Sequence, residues 1–295
     1  MTIDQEPARV VSLSPANTET VFALGEGDKV VGGTDFDDFP PEAAPLPDVA
    51  TFEGVLIEQA VDLEPDLILA AGNAFNPPDD IARLRELGIP VIVLYAETVD
   101  EVLADIELIG TAVGASEQAR SLTEDMSARI DEISAATDAT DEKPRVFYEL
   151  GDQPEIFGPA DDSFVADLIE LAGGEPITTG APDVFSISLE RLVEADPEVI
   201  VLGDANYGVT PESVDARPGG WQQMTAVEEG DVRPVDDIIV TRPGPRLADG
   251  LAALAEAIHP ELDLGADASP GDSSGASSGG PGASSGVGPE ASASP

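Results

Sequence analysis

The chain has 295 residues, 59 acidic and 13 basic, for a formal charge of −46, with no cysteine and one histidine. Its length suits two lobes, each with its own core, and an apolar content of 42% separates it from disordered acidic chains. The missing cysteine excludes disulfides, thiolate zinc sites, iron–sulfur clusters and a cysteine nucleophile, and the charge argues against a nucleic-acid partner.

Met1 to Pro7 is polar and carries no signal-peptide pattern, as expected of a mature form. Short apolar runs then alternate with helical patterns. Strands are predicted at Val10–Leu13, Val30–Gly33, Leu67–Ala70 and Val91–Tyr95, and again at Val146–Glu149, Val199–Leu202 and Val232–Val235. Each run is bounded by Gly, Pro or Asp, as in strands buried on both faces of a parallel sheet. Between the two sets, Thr98 and Glu101 form a capping box that opens a helix ending near Gly114. Ser116 is expected to cap a second helix, whose stripe of Ala119, Leu122, Met126, Ile130 and Ile133 runs for about 20 residues, or roughly 30 Å. The fold class is therefore α/β: two doubly wound lobes with mostly parallel sheets, joined by one long rigid helix, with a ligand cleft between them. The divisions expected are 1–97 for the first lobe, 98–140 for the linking helical region, 141–264 for the second lobe and 265–295 for a tail.

An internal repeat points the same way. Ile57-Glu58 to Asp66-Leu67-Ile68-Leu69 runs parallel to Leu189-Glu190 to Glu198-Val199-Ile200-Val201: a Glu opens a short helix, Pro-acid stops it, and an apolar strand follows at once. The tail is set apart by composition, 27 of its 31 residues being Gly, Ser, Ala or Pro, and reads as a flexible tether or an inert end. It holds Asp267, Asp272 and Glu290, so the other 56 acids load the folded part. Such self-repulsion is screened at about 1 M salt, where the Debye length is roughly 3 Å, and the pattern predicts a halophile, of the archaeal type. No run reaches the ~18–20 apolar residues of a membrane span.

No catalytic constellation is legible. His259, in His-Pro after the last amphipathic helix, is expected at an exposed helix end. There is no Gly-x-Ser-x-Gly elbow and no His-Glu-x-x-His. Gly25-Glu26-Gly27 closes a helix instead of opening one, and carboxylate pairs such as Asp37-Asp38 and Asp161-Asp162 carry no specificity in so acidic a chain. No metal site is expected in the protein.

Binding is better supported. Ligands of open α/β sheets sit beyond the carboxyl ends of the strands, where Phe36, Phe39, Phe52 and Phe75 fall in the first lobe. Phe157, Phe185, Tyr207 and Trp221 fall in comparable loops of the second. An aromatic-lined cleft suits a large, flat, partly apolar ligand. Phe22, Phe147 and Phe164 are assigned to cores. Val10 to Glu19 runs from strand into helix with Ser14 at the N-cap and Pro15 at the first helical position, either a ligand-facing turn or a plain connection.

Ser14-Pro15-Ala16-Asn17-Thr18-Glu19, Asp38-Phe39-Pro40-Pro41, Glu58 with Pro65-Asp66, and Arg242-Pro243-Gly244-Pro245-Arg246 follow in an order with a precedent. Over about Arg9 to Leu262 the chain resembles the solute-binding proteins of ABC importers for cobalamin, iron–siderophores and haem, and within them the cobalamin-binding branch. The resemblance implies a monomer outside the cytoplasm, associated with the membrane through a segment not in this sequence. Its ligand would be a cobalt corrinoid or another metal chelate, with no cofactor of its own, and it would deliver that ligand to an ABC permease dimer. The matching positions for ligand contact are Ala16, Asn17, Phe36, Phe52, Asn73, Phe157, Phe185, Asp237 and Arg242, and those for permease docking are Glu58 and Glu190. A ferric siderophore or haem is the nearest alternative. A chelatase or hydrolase on the same architecture is the alternative of another class, and an adhesive surface protein is suggested by the tail alone.

Overall fold

The computed structural model describes residues 6–72, 76–140, 142–182 and 184–266. Asn73, Phe75 and the tail from residue 267 lie outside the described residues.

The first sheet is built from β1 (Val10–Ser12), β2 (Val30–Thr34), β3 (Asp48–Thr51), β4 (Gly54–Val55), β5 (Leu67–Ala71) and β6 (Val91–Leu94) in the order β4-β3-β2-β1-β5-β6. All its pairings are parallel except the short β3–β4 hairpin. Its helices are α1 (Pro15–Ala23), α2 (Ile57–Asp62) and α3 (Pro78–Glu86). Two longer helices follow, α4 (Val99–Val113) and α5 (Ser116–Asp138).

The second sheet contains β7 (Arg145–Glu149), β9 (Glu175–Pro176), β11 (Val199–Leu202) and β12 (Val232–Pro234) in the parallel order β12-β11-β7-β9. Beside it, β8 (Ile156–Phe157) and β10 (Ser186–Ile187) pair antiparallel. Helices α6 (Phe164–Leu171), α7 (Leu189–Ala195), α8 (Pro211–Asp215), α9 (Thr225–Glu229), α10 (Asp237–Thr241) and α11 (Leu247–Ile258) complete the fold.

Alternation along the strands sorts the side chains into three cores. Val10, Leu67 and Leu69 from the first sheet, and Val146, Tyr148, Val199 and Val201 from the second, enter one shared core. Their neighbours Val11, Ile68 and Ala70 pack on the outer face of the first sheet, and Phe147, Ile200 and Leu202 on the outer face of the second. The shared core is filled by Ile106 and Ile109 of α4, Met126, Ile130 and Ile133 of α5, and Leu251 and Leu254 of α11. The layer joining the sheets is therefore broader than one helix. Close approach of α4 and α5 is set at Gly110, where a Cβ would stand 2.3 Å from that of Ala119.

At the helix ends the expected caps are partly replaced. Thr98 Oγ1 accepts from Glu101 N–H, but the Glu101 carboxylate turns to the Glu97 N–H instead of closing the box. Ser116 is the first residue of α5 and not its cap; Ala115 stands at that position with no side-chain bond. Gly114 closes α4 at φ 85°, as its position predicted.

The internal repeat has a physical form. Glu64 (φ 47°) ends the α2 turn just before Pro65, and Asp196 (φ 49°) ends α7 just before Pro197. In the first copy Asp66 Oδ2 accepts from the Arg9 N–H at 3.1 Å while Arg9 Nε donates to Leu63 O at 2.8 Å. In the second, Glu198 Oε2 accepts from the Arg145 N–H at 3.0 Å while Arg145 Nε donates to Asp196 O at 3.0 Å. Each copy thus fastens a short helix to the start of a central strand with one arginine and one acid.

His259 corrects its expected exposure. Its ring is buried, with Nε2 3.3 Å from Gly173 O, because the chain after α11 turns back over the fold instead of running into solvent.

Candidate binding cleft

The ends of β1, β5 and β6 open onto a cavity of about 500 Å³, closed on its other side by loops and helix ends of the second half of the chain. On the first side it is lined by Ser14, by Ala16, Asn17 and Thr20 of α1, by Ala71 at the end of β5, and by Leu94, which ends β6, with Tyr95 to Glu97 beyond it. Asp105, Ile106 and Ile109 of α4 form part of its wall. The second side contributes Ala160 to Val165, Pro182, Phe185, Thr241 and Pro243. This is where open parallel sheets place ligands, and the volume falls within the usual range of ~300–1,000 Å³.

Hydrogen bonds fix the walls. Asn76 accepts from the Ala71 N–H at 2.6 Å and donates to Leu13 O at 3.1 Å, so the ends of β5 and β1 are held together. Asp37, buried in the turn after β2, accepts from Thr18 Oγ1 at 2.9 Å and from the Thr34 N–H at 3.0 Å. Burial raises its carboxyl above the ordinary range against these bonds and the charge of Arg242. Ser14 is the N-cap residue of α1 with Pro15 behind it, but its side chain makes no cap bond. Across the boundary, Arg242 reaches Glu19 at 2.6 Å and Asp38 at 2.7 Å, and Asp167 of α6 accepts from the N–H of Val99 at the start of α4 at 2.8 Å.

Of the expected contact residues, Ala16, Asn17 and Phe185 come together in the lining. Phe36 and Phe52 are exposed, after β2 and β3 on the same sheet edge but outside the lining. Phe157 lies in β8 and Asp237 accepts from the Tyr148 hydroxyl at 2.8 Å; neither lines the cavity. Burial pushes the Asp237 carboxyl up, and burial beside Asp237 pushes the Tyr148 phenol up. Arg242 is turned away, although Thr241 and Pro243 on either side of it line the cavity.

Two aromatics trade the places expected of them. Trp221 is core, beneath the Arg217 guanidinium at 4.5 Å, because the Pro-Gly-Gly turn folds it onto Met224 and Val214. Phe164 is half-buried and lines the cavity while also packing on the shared core. Tyr95, Glu97 and Asp105 were missed; the position of Tyr95 just past β6 was the available signal. Glu58 and Glu190 are both exposed in the first turns of α2 and α7. Among the described residues no His, Cys, Asp or Glu group is arranged to hold a metal, and no helix is long and apolar enough to cross a membrane.

Residues 10–238 match the family model described as periplasmic binding protein. An uncharacterized ABC transporter substrate-binding lipoprotein, YvrC of Bacillus subtilis, is 36% identical over 265 residues, 88% of this chain and 83% of its own length. A cobalamin-binding protein of Halobacterium salinarum is 33% identical over 88% of this chain and 71% of its own. The periplasmic heme-binding protein RhuT of Roseiflexus, solved without ligand, superposes with a TM-score of 0.76 at 25% identity, covering 85% of this chain and 98% of that one. With its matched span running from the first strand of one sheet to beyond the last strand of the other, the chain belongs to the periplasmic binding protein family.

Proposed function

We propose that the protein is the extracytoplasmic solute-binding component of an ABC importer and that it captures a corrinoid. The observation that carries the reading is the cavity at the carboxyl ends of β1, β5 and β6, closed on its other side by loops and helix ends that surround the second parallel sheet. A flat macrocycle seated there would extend over the edge of the first sheet, where Phe36 and Phe52 stand exposed. The name of the Halobacterium relative supports a corrinoid, and that of RhuT keeps haem as a second reading. Lobes divided near residues 97 and 141, with α4 and α5 between them, fit this role.

Delivery is assigned to Glu58 and Glu190, repeated acids presented alike on two short helices, to be met by cations of a two-fold permease. The enzyme reading loses its single histidine, which is buried against Gly173 away from the cavity. Calorimetric titration at molar salt with cyanocobalamin, a ferric hydroxamate and haem tests the proposal. Saturable one-to-one binding of cyanocobalamin is expected; binding of haem alone would replace the corrinoid, and binding of none would overturn the role.

A further inference from the structure

The charge of the cavity is one-sided. Glu97, Asp105, Asp161 and Asp162 line it, and no Lys, Arg or His does so among the described residues. Asp161 is tied down by Thr178 and by the Gly180 N–H at 2.9 Å. Glu97, Asp105 and Asp162 have no cationic partner among the described residues. Burial next to Glu101 raises the Asp105 carboxyl to about 6, which leaves it mostly ionised at neutral pH. Arg242, the obvious cation, is already neutralised by Glu19 and Asp38.

The same wall holds a donor without an acceptor. Asn17 is 6% exposed, and its Nδ2 has no hydrogen-bond partner. A buried N–H in that condition is unfavourable unless a bound molecule brings an acceptor. An unmatched N–H lining the same cavity as carboxylates without a cation is complementary to a group offering C=O and N–H together, which is a carboxamide. A ligand carboxylate would satisfy Asn17 but would meet several like charges with no cation to offset them.

We propose that the cavity selects metal chelates whose rim carries carboxamides and rejects the same chelates carrying carboxylates. This rests on the solute-binding reading above and names the ligand chemistry of that site. Two pairs of probes test it, each sharing one macrocycle: cyanocobalamin against the tricarboxylic acid made by hydrolysing its peripheral amides, and haem against its diamide. In whichever pair binds, the amide member is expected to bind at least about tenfold more tightly at pH about 8 and moderate salt. The double variant Glu97→Gln with Asp105→Asn, checked for an unchanged circular dichroism spectrum, is expected to bring that ratio toward one. Equal affinities, or a preference for the carboxylate member, overturn the selectivity while the capture of a chelate stands. An unchanged ratio in the folded double variant removes these two carboxylates as its cause and overturns the assignment. Binding of none of the four probes overturns the selectivity, and the ferric hydroxamate titration described above then decides whether the solute-binding reading falls with it.

Discussion

Glu19 and Arg246 meet in a two-pronged ion pair, Nε to Oε2 at 2.9 Å and Nη2 to Oε1 at 2.7 Å, across more than 200 residues of sequence. Glu19 is 2% exposed and also receives Arg242, so one buried carboxylate of α1 holds both cations of the segment leading into α11. Arg246 further covers the ring of Phe39 at 4.3 Å. Removing one partner of such a group strands the others, at a cost of about 3–5 kcal/mol. Glu19→Gln is expected to lower the melting temperature by roughly 10 °C, given about 2–4 °C per kcal/mol in a chain of this size. A melt superimposable on the parent's would refute this role.

Asn17 gives effects of opposite sign. Asn17→Leu removes a buried amide N–H that has no acceptor, so the free protein should melt at the same temperature or higher. Ligand affinity should fall about tenfold, the equivalent of one lost hydrogen bond of ~1.4 kcal/mol. Loss of stability with affinity retained would assign Asn17 to packing alone.

Asp204 makes stability depend on pH. It is 5% exposed beside Glu149, which Arg217 grips at 2.6 and 2.8 Å, and burial together with the Glu149 charge raises its carboxyl to about 7. The folded state therefore holds a proton that the unfolded state releases near pH 3.8. That contribution to stability is full below about 3.8 and is lost as pH rises to about 7. Asp204→Asn keeps a donor toward Glu149 without the charge. It should raise the melting temperature by a few degrees at pH about 8 and change it little near pH about 4. Parallel melting curves at both pH values would exclude it.

The charge of −46 sets the response to salt. Raising NaCl from about 0.1 to about 1 M shortens the Debye length from roughly 10 to 3 Å, and unfolding should move to higher denaturant concentration. An unfolding midpoint indifferent to salt would count against adaptation to brine.

Charge reversal at both Glu58 and Glu190 should leave the ligand affinity unchanged and abolish uptake by reconstituted permease vesicles. Both side chains are exposed and unpaired among the described residues, so the fold should tolerate the change. Normal uptake by the double variant would end the docking assignment.

How much of this was legible follows from the reach of each signal. Buried parallel strands are apolar without interruption, and runs such as Val199–Leu202 were read to the residue. The strands β4, β8, β9 and β10 have two residues each, too few for any periodicity to register. Helix stripes exposed α5, but not that α4 and α11 share its layer, since sequence spacing is silent about which stripes face each other. At the site, loop position found Phe185, just before β10, and the family resemblance found Ala16 and Asn17 in the first turn of α1. The resemblance failed for Arg242, whose side chain is directed by Glu19 more than 200 residues away, and loop position failed for Trp221, carried inward by a turn at Gly219 and Gly220 with φ of 96° and 114°.

The paired arginine clasps bear on a problem that concentrated electrolyte poses to any fold. Ions in solution compete for charged partners, yet they compete poorly for a carbonyl oxygen already seated in main chain. Arg9 and Arg145 donate to such oxygens at the ends of α2 and α7, and Arg85, Arg129 and Arg233 do the same at Val91, Leu264 and Ala257. Three of these arginines also pair with a carboxylate, Arg129 with Glu132, Arg145 with Glu198 and Arg233 with Asp231, yet each keeps a bond to a neutral acceptor, a fastening that brine leaves closed while it quiets the repulsion around it.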